Sequence, residues 1–191
     1  MNLVDSRSTM TAEDFLLWID SLSEGPRYEL VAGEPVAMAP ERNRHNLVKA
    51  ECWLALRQAV RSAGIRCTVL SDGATVRVDE DNVYEPDVTV QCGEPIDLDA
   101  TAATHPTILV EVLSPATKGV DSSNKLLGYF QLPSVQHYLV VDPAKRAVIH
   151  HYRSGSGIGT SLLHEGSLRL DPPGIDLEIT DFFGALEDLS S

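Results

Sequence analysis

The chain of 191 residues carries 28 acidic and 15 basic side chains, a formal net charge of −13. That length suits one domain with a sizeable core, and no apolar stretch approaches a membrane span. The charge has the wrong sign for holding nucleic acid over a broad surface, which leaves only a local basic patch for that purpose.

In chain order, residues 1–10 read as a loose polar N-terminus, 11–185 as the folded domain and 186–191 as an acidic tail. The N-terminus lacks the basic-then-apolar order of a secretory signal. Cys52, Cys67 and Cys92 are odd in number and without Cys-x-x-Cys spacing. Buried thiols in a cytoplasmic protein are therefore expected, not a disulfide framework or a structural zinc site.

Thr11-Ala12-Glu13-Asp14 predicts a helix start capped by Thr11, with Phe15, Leu16 and Ile19 on its apolar side. Tyr28 to Val31 and Pro35 to Ala39 flank Ala32-Gly33-Glu34 as a β-hairpin. From His45 to Ala63 the period is helical, with His45, Val48, Cys52, Ala55, Leu56 and Ala59 on one face and Gly64 as the stop. Strand patterns follow at 65–70, 74–78 and 83–91, and 92–106 reads as an exposed acidic loop. Six basic residues between Arg42 and Arg66 read as a solvated face first and a nucleic-acid patch second.

Thr107 to Leu113 is a run of apolar residues interrupted by Glu111, and it ends at Ser114-Pro115. Such a run reads as a strand buried on both faces. An ionised carboxylate there is costly unless paired, hydrogen-bonded or metal-bound. Asp87 opens the shorter apolar run Val88-Thr89-Val90. The following helix, 121–132, sets Asp121, Lys125 and Tyr129 on one side. Two acids with oxygen ligands suit Mg²⁺ or Mn²⁺, and Lys125 could orient a water or neutralise a developing oxyanion. The structural alternatives are a metal-free ion pair of Glu111 with Lys125, and a core role for Tyr129.

Residues 135–142 predict another buried strand, giving a strand-helix-strand crossover. A hairpin of 147–153 with 160–164 crosses the cluster from Ser154 to Gly159, which reads as a flexible tip because it leads into a strand. His150, His151 and His164 do not make a zinc set, since adjacent strand residues face opposite ways. Ile175 to Leu177 and Phe182-Phe183 close the fold.

Several segments together resemble one family. They are Tyr28-Glu29-Leu30 with Gly33-Glu34, Pro40 to His45, Pro86-Asp87-Val88, Val110-Glu111-Val112-Leu113-Ser114-Pro115, the helix of Asp121, Lys125 and Tyr129, and Tyr138 to Pro143. In order and spacing they resemble the Uma2 branch of the restriction-endonuclease-like nucleases, from about Thr11 to Phe183. The resemblance implies an α/β fold with a mixed sheet flanked by helices and an N-terminal hairpin, divalent-metal dependence, and DNA as substrate. By position Asp87 and Glu111 match the metal ligands and Lys125 the lysine, whose usual place two residues after the second acid is Leu113 here. Glu29 and His45 match recurrent polar positions and are taken as further site members. His137-Tyr138-Leu139 departs from the family's Glu-Tyr-Trp.

The resulting expectation is a Mg²⁺- or Mn²⁺-dependent endodeoxyribonuclease with Asp87, Glu111, Lys125, Glu29 and His45 in its site, and edge strands that suit a homodimer. A catalytically inactive module of the same fold, binding protein or nucleic acid, is the alternative from another class. An enzyme of the same metal kit acting on a small phosphorylated substrate is a third.

Overall fold

The structure is a computed structural model that describes residues 9–114 and 120–189. Helix α1 spans Ala12–Ser21, and its start is capped as the sequence predicts: the Thr11 hydroxyl accepts from the Asp14 N–H at 3.1 Å. The hairpin follows as β1 (Tyr28–Val31) and β2 (Glu34–Ala37), with Gly33 at φ +77 in its turn. Phe15 of α1 and Leu30 of β1 are fully buried against each other's cluster. Helix α2 runs Asn43–Ala63 and stops at Gly64, whose φ of +64 is the left-handed cap that a side chain would resist.

Next come β3 (Cys67–Ser71), β4 (Val76–Arg77), β5 (Val83–Tyr84) and β6 (Val88–Cys92). The single strand expected over 83–91 is thus two, parted at Glu85-Pro86-Asp87, where proline has no ladder N–H to give. Strand β7 (Pro106–Val112) leads through α3 (Val120–Tyr129) to β8 (His137–Asp142). Strands β9 (Ala147–Ser154) and β10 (Gly157–Leu163), then β11 (Ser167–Leu170) and β12 (Ile175–Glu178), form two hairpins. A 3₁₀ turn at Ile179–Phe183 and α4 (Gly184–Asp188) finish the described chain.

The main sheet has the order β10-β9-β8-β7-β6-β3. Only β7 and β8 are parallel in it, joined by the α3 crossover. A smaller antiparallel sheet has the order β2-β1-β5-β4. Period-two alternation along β7 sends Ile108, Val110 and Val112 to the core under α2. Leu109 faces the other core, where Tyr129 of α3, Tyr84 and Tyr138 meet edge to face. Glu111 shares Leu109's parity and so points to the α3 side.

Two further expectations need correction. Cys67 and Cys92 form a disulfide, because the antiparallel pairing of β3 with β6 sets them directly opposite, at a Cα separation of 4.1 Å. Local spacing could not reveal partners 25 residues apart; Cys52 alone remains a buried thiol. The hairpin tip is only Gly155-Ser156, since Gly157 to Gly159 belong to β10. Gly159 is small for a reason: a Cβ there would meet the Tyr152 ring at 2.4 Å. No helix among the described residues is long and apolar enough to cross a membrane.

Candidate active site

The register Val88↔Val110, carried one residue on, sets Asp87 opposite Glu111. The Glu111 side chain turns to Lys125 and Tyr129 of α3, while that of Asp87 meets the Val112 N–H and lies near His45 and Lys49 of α2. Asp87 Oδ2 accepts the Val112 N–H at 2.7 Å, which ties the β6 entrance to the β7 exit. Both acids line a cavity of about 340 Å³ together with Glu29, Glu41, His45, Glu85 and Lys125. All five residues assigned to the site by sequence therefore meet. Asp121 does not enter this comparison: its side chain lies outside the described residues, as does Pro115.

Lys125 is the hub of one half. Its Nζ stands 2.9 Å from Glu111 Oε1 and 2.9 Å from Glu29 Oε1. The Tyr129 hydroxyl, one turn on, donates to the same Glu111 oxygen at 2.8 Å. Glu29 also accepts the Glu85 N–H at 2.8 Å. An acid on a hairpin strand ordinarily faces water, but Glu29 is 8% exposed and holds Lys125. The ion pair of Glu111 with Lys125, weighed from sequence as the structural alternative, is present. Tyr129 is fully buried and bonded, so packing and site roles coincide.

The electrostatics of this half follow from who faces whom. Burial pushes the Glu111 carboxyl up to about 7; Lys125 opposes this, while Asp87 and Glu29 add to it. Burial works the other way on Lys125, but Glu111 and Glu29 outweigh it and hold the ammonium well above its ordinary range. The directions agree physically: the lysine sees two acids, whereas Glu111 sees one cation and two further acids. Burial, then Glu111, also keeps the Tyr129 hydroxyl protonated far above its usual range.

In the other half, sequence assigned His45 and Asp87 but not Arg27, Glu41, Lys49, Asp72 or Glu85. Lys49, on the buried face of α2, places Nζ 2.6 Å from Glu41 Oε2, 3.0 Å from Asp72 and 3.7 Å from Asp87. Arg27 pairs with Asp72 at 2.7 Å and with Glu85, whose carboxylate also takes the Gly73 N–H. Burial raises Glu85, whereas Lys49 and Arg27 outweigh burial and hold Asp72 down. His45, in the first turn of α2, bonds through Nε2 to the Val112 carbonyl at 2.8 Å and lies 3.4 Å from Asp87 Oδ2. Its buried Nδ1 makes no hydrogen bond and faces Glu41 Oε2 at 3.3 Å. The one available signal was the recurrence of α2's buried face at Lys49, one turn after His45.

The basic stretch of 42–66 divides. Lys49 is inside, Arg57 stacks on Trp53 at 4.8 Å, and Arg42 lies exposed at the cavity lining. Leu113, at the position where the signature has lysine, packs against the apolar cluster of Tyr129 and Tyr138. Away from the cavity, His137 and His150 share a hydrogen bond at 2.9 Å across β8 and β9, while His151 faces Tyr138 on the opposite side. The histidines thus form a buried pair and not a zinc set.

A mixed six-stranded sheet with one parallel crossover, carrying paired acids and a lysine at its β6–β7 end, defines a protein of restriction-endonuclease-like fold. The chain belongs to the Uma2 family, whose description is "Putative restriction endonuclease" and whose match covers residues 12–180. Two uncharacterized proteins of Synechocystis sp., slr1290 and sll1609, are each 27% identical to it. The first aligns over 170 residues, 88% of this chain and 87% of its own length, and the second over 157 residues, 81% and 87%. The crystal structure of "a putative nuclease" from Anabaena variabilis superposes with a TM-score of 0.72, covering 93% of this chain and 99% of that one. At 17% identity that likeness shows the fold.

Proposed function

We propose that this protein is a metal-dependent endonuclease that hydrolyses phosphodiester bonds in DNA, with Mg²⁺ or Mn²⁺ held by Asp87 and Glu111. One observation carries the reading: carboxylates outnumber cations around a single cavity. In the ion-pair network at the cavity and beside it, the six acids Glu29, Glu41, Asp72, Glu85, Asp87 and Glu111 face four partners among the described residues, Arg27, His45, Lys49 and Lys125. Surplus negative charge out of water is costly unless protons or metal ions answer it. Asp87 and Glu111 fit such ions, being carboxylate oxygen donors, and Asp87 is already oriented by the Val112 N–H. The family description supports the nuclease class.

When bound, the cation supplies a polarised phosphoryl oxygen and a water of lowered pKa. Lys125, kept protonated by its two acids, cannot take a proton from that water. Its part is a fixed positive charge beside oxygens on which negative charge develops. Glu29 positions Lys125, being itself fixed by the Glu85 N–H. Tyr129 fixes the rotamer of Glu111. Arg42 and Arg44, both exposed near the start of α2, offer the phosphate backbone a local attraction that the total charge does not.

One observation favours the inactive module instead: Glu111 Oε1 is already satisfied by Lys125 and Tyr129. Supercoiled plasmid decides between them. The nuclease nicks or linearises it with Mg²⁺ or Mn²⁺, and loses the activity on chelation or in Asp87→Asn. Thermal stabilisation by the ions without any cleavage would move the substrate to small phosphate esters. Neither stabilisation nor cleavage would leave only the module.

A further inference from the structure

We infer that Glu41, His45 and Asp87 form a second cation site in the cavity, one that takes a divalent transition-metal ion in preference to Mg²⁺. The inference extends the metal-dependent reading but draws on a ligand set that leaves out Glu111. It starts from a tautomer. A carbonyl oxygen only accepts, so the 2.8 Å contact with Val112 requires the hydrogen on His45 Nε2. In the neutral ring, Nδ1 then carries the lone pair.

In the neutral ring that lone pair faces Glu41 Oε2 at 3.3 Å with no hydrogen bond between them; burial opposes a charge on the ring, but Asp87, Glu41 and the Val112 carbonyl outweigh it and raise its pKa, so a proton competes with an ion for this nitrogen. His45 is 7% exposed, so the contact is shielded from bulk water. Two electron-rich atoms held face to face in a buried place repel unless a positive centre lies between them. The centre is either a proton on the ring or a metal ion. A ring whose far nitrogen donates to a backbone carbonyl, leaving the near one bare, is how metal-binding imidazoles are oriented.

The third donor is in reach. One ligating atom from each of Glu41, His45 and Asp87 lies within 4.8 Å of the others, and the two acids come from separate loops, before α2 and before β6. Donors around an ion with bonds of about 2.1 Å stand roughly 3–4 Å apart, so small side-chain rotations close the set. Lys49 is the competing cation, 2.6 Å from Glu41 Oε2. Asp72, at 3.0 Å, keeps it paired when Glu41 turns to a metal. Nitrogen in the donor set is what selects the ion: imidazole favours Co²⁺ or Zn²⁺, whereas Mg²⁺ prefers oxygen alone.

The test titrates Co²⁺ into the full chain carrying Glu111→Gln, which removes the other pair, and reads visible d–d absorption together with calorimetric stoichiometry. One Co²⁺ per chain is expected, displaced poorly by Mg²⁺, with affinity falling at least tenfold when His45→Gln or Glu41→Gln is added. Undiminished Co²⁺ binding in both added variants would overturn the site. So would no binding to a Glu111→Gln protein whose circular dichroism is native, since only a proton would then bridge the ring and Glu41. Plasmid cleavage is not part of this readout. Co²⁺ binding here by a protein that cuts nothing would retire the nuclease and keep the site; a wild-type protein that cuts, with a Glu111→Gln form that binds no Co²⁺, would do the reverse.

Discussion

Replacing Lys125 by methionine keeps the length of the side chain and removes the cation that Glu29 and Glu111 share. Breaking a buried pair from one side costs about 3–5 kcal/mol when the remaining charge has no escape. Glu111 has one, because its carboxyl already sits at about 7 with the lysine in place. Without the lysine that value rises further, so near pH 6 the acid takes up a proton and the loss is held to about 1–2 kcal/mol. The sign follows from proton counting. A folded-state pKa above the unfolded value means that the native state binds more protons, and stability falls as pH rises through the folded value. The deficit of Lys125→Met relative to wild type should therefore grow from pH 6 to pH 9, towards the full 3–5 kcal/mol. At about 2–4 °C per kcal/mol for a chain of this size, the melting temperature drops by roughly 5 °C at pH 6 and by 10 °C or more at pH 9. Thermal scans across that range, repeated on Lys125→Met with Glu111→Gln, provide the measurement. A deficit independent of pH, or one that Glu111→Gln leaves untouched, would refute the pairing as drawn. Turnover should vanish in Lys125→Met while Mg²⁺ still binds, and wild-type rates in that variant would remove the lysine from the chemistry.

Two further outcomes concern stability away from the cavity. Burial, then its histidine neighbours, lowers His150 to about 4, and burial lowers His137 as well. The unfolded chain thus binds more protons between about pH 6.5 and 4, so stability should fall with acidification in that window, by about 3 kcal/mol for His150; His150→Phe should flatten that part of a melting-temperature profile, and an unchanged profile would contradict the neutral pair. The Cys67–Cys92 disulfide closes a loop across 25 residues. Reduction should cost about 3 kcal/mol, read as a lower urea midpoint with dithiothreitol, whereas coincident midpoints would mean that the β3–β6 pairing holds without the bond.

How much of this was legible in the chain depends on distance along it. Glu111 stood out because an acid inside an apolar strand violates its surroundings, and the crossover then put Lys125 and Tyr129 within reach through a single connection. The capped start of α1 and the Gly64 stop of α2 were local chemistry and equally readable. Glu41, Asp72 and Glu85 were not, because acids in polar loops look solvated until tertiary contacts bring Arg27 and Lys49 to them. Glu29 was named through the family resemblance, but its pairing with a lysine 96 residues on was not readable from the chain. His137 needed the β8–β9 pairing to find His150, and Cys67 needed β6 to find Cys92. Each of these partners is set by strand order, which the pattern of apolar residues does not encode.

The account rests on a divalent ion answering the surplus acids, and a crystal soaked in Mn²⁺ measures that most directly. An anomalous-difference peak bonded to Asp87 and Glu111 is the predicted result, with Lys125 still against Glu29. A native-like cavity with no peak near Asp87, and Glu111 unmoved beside Lys125 and Tyr129 at saturating Mn²⁺, would contradict it.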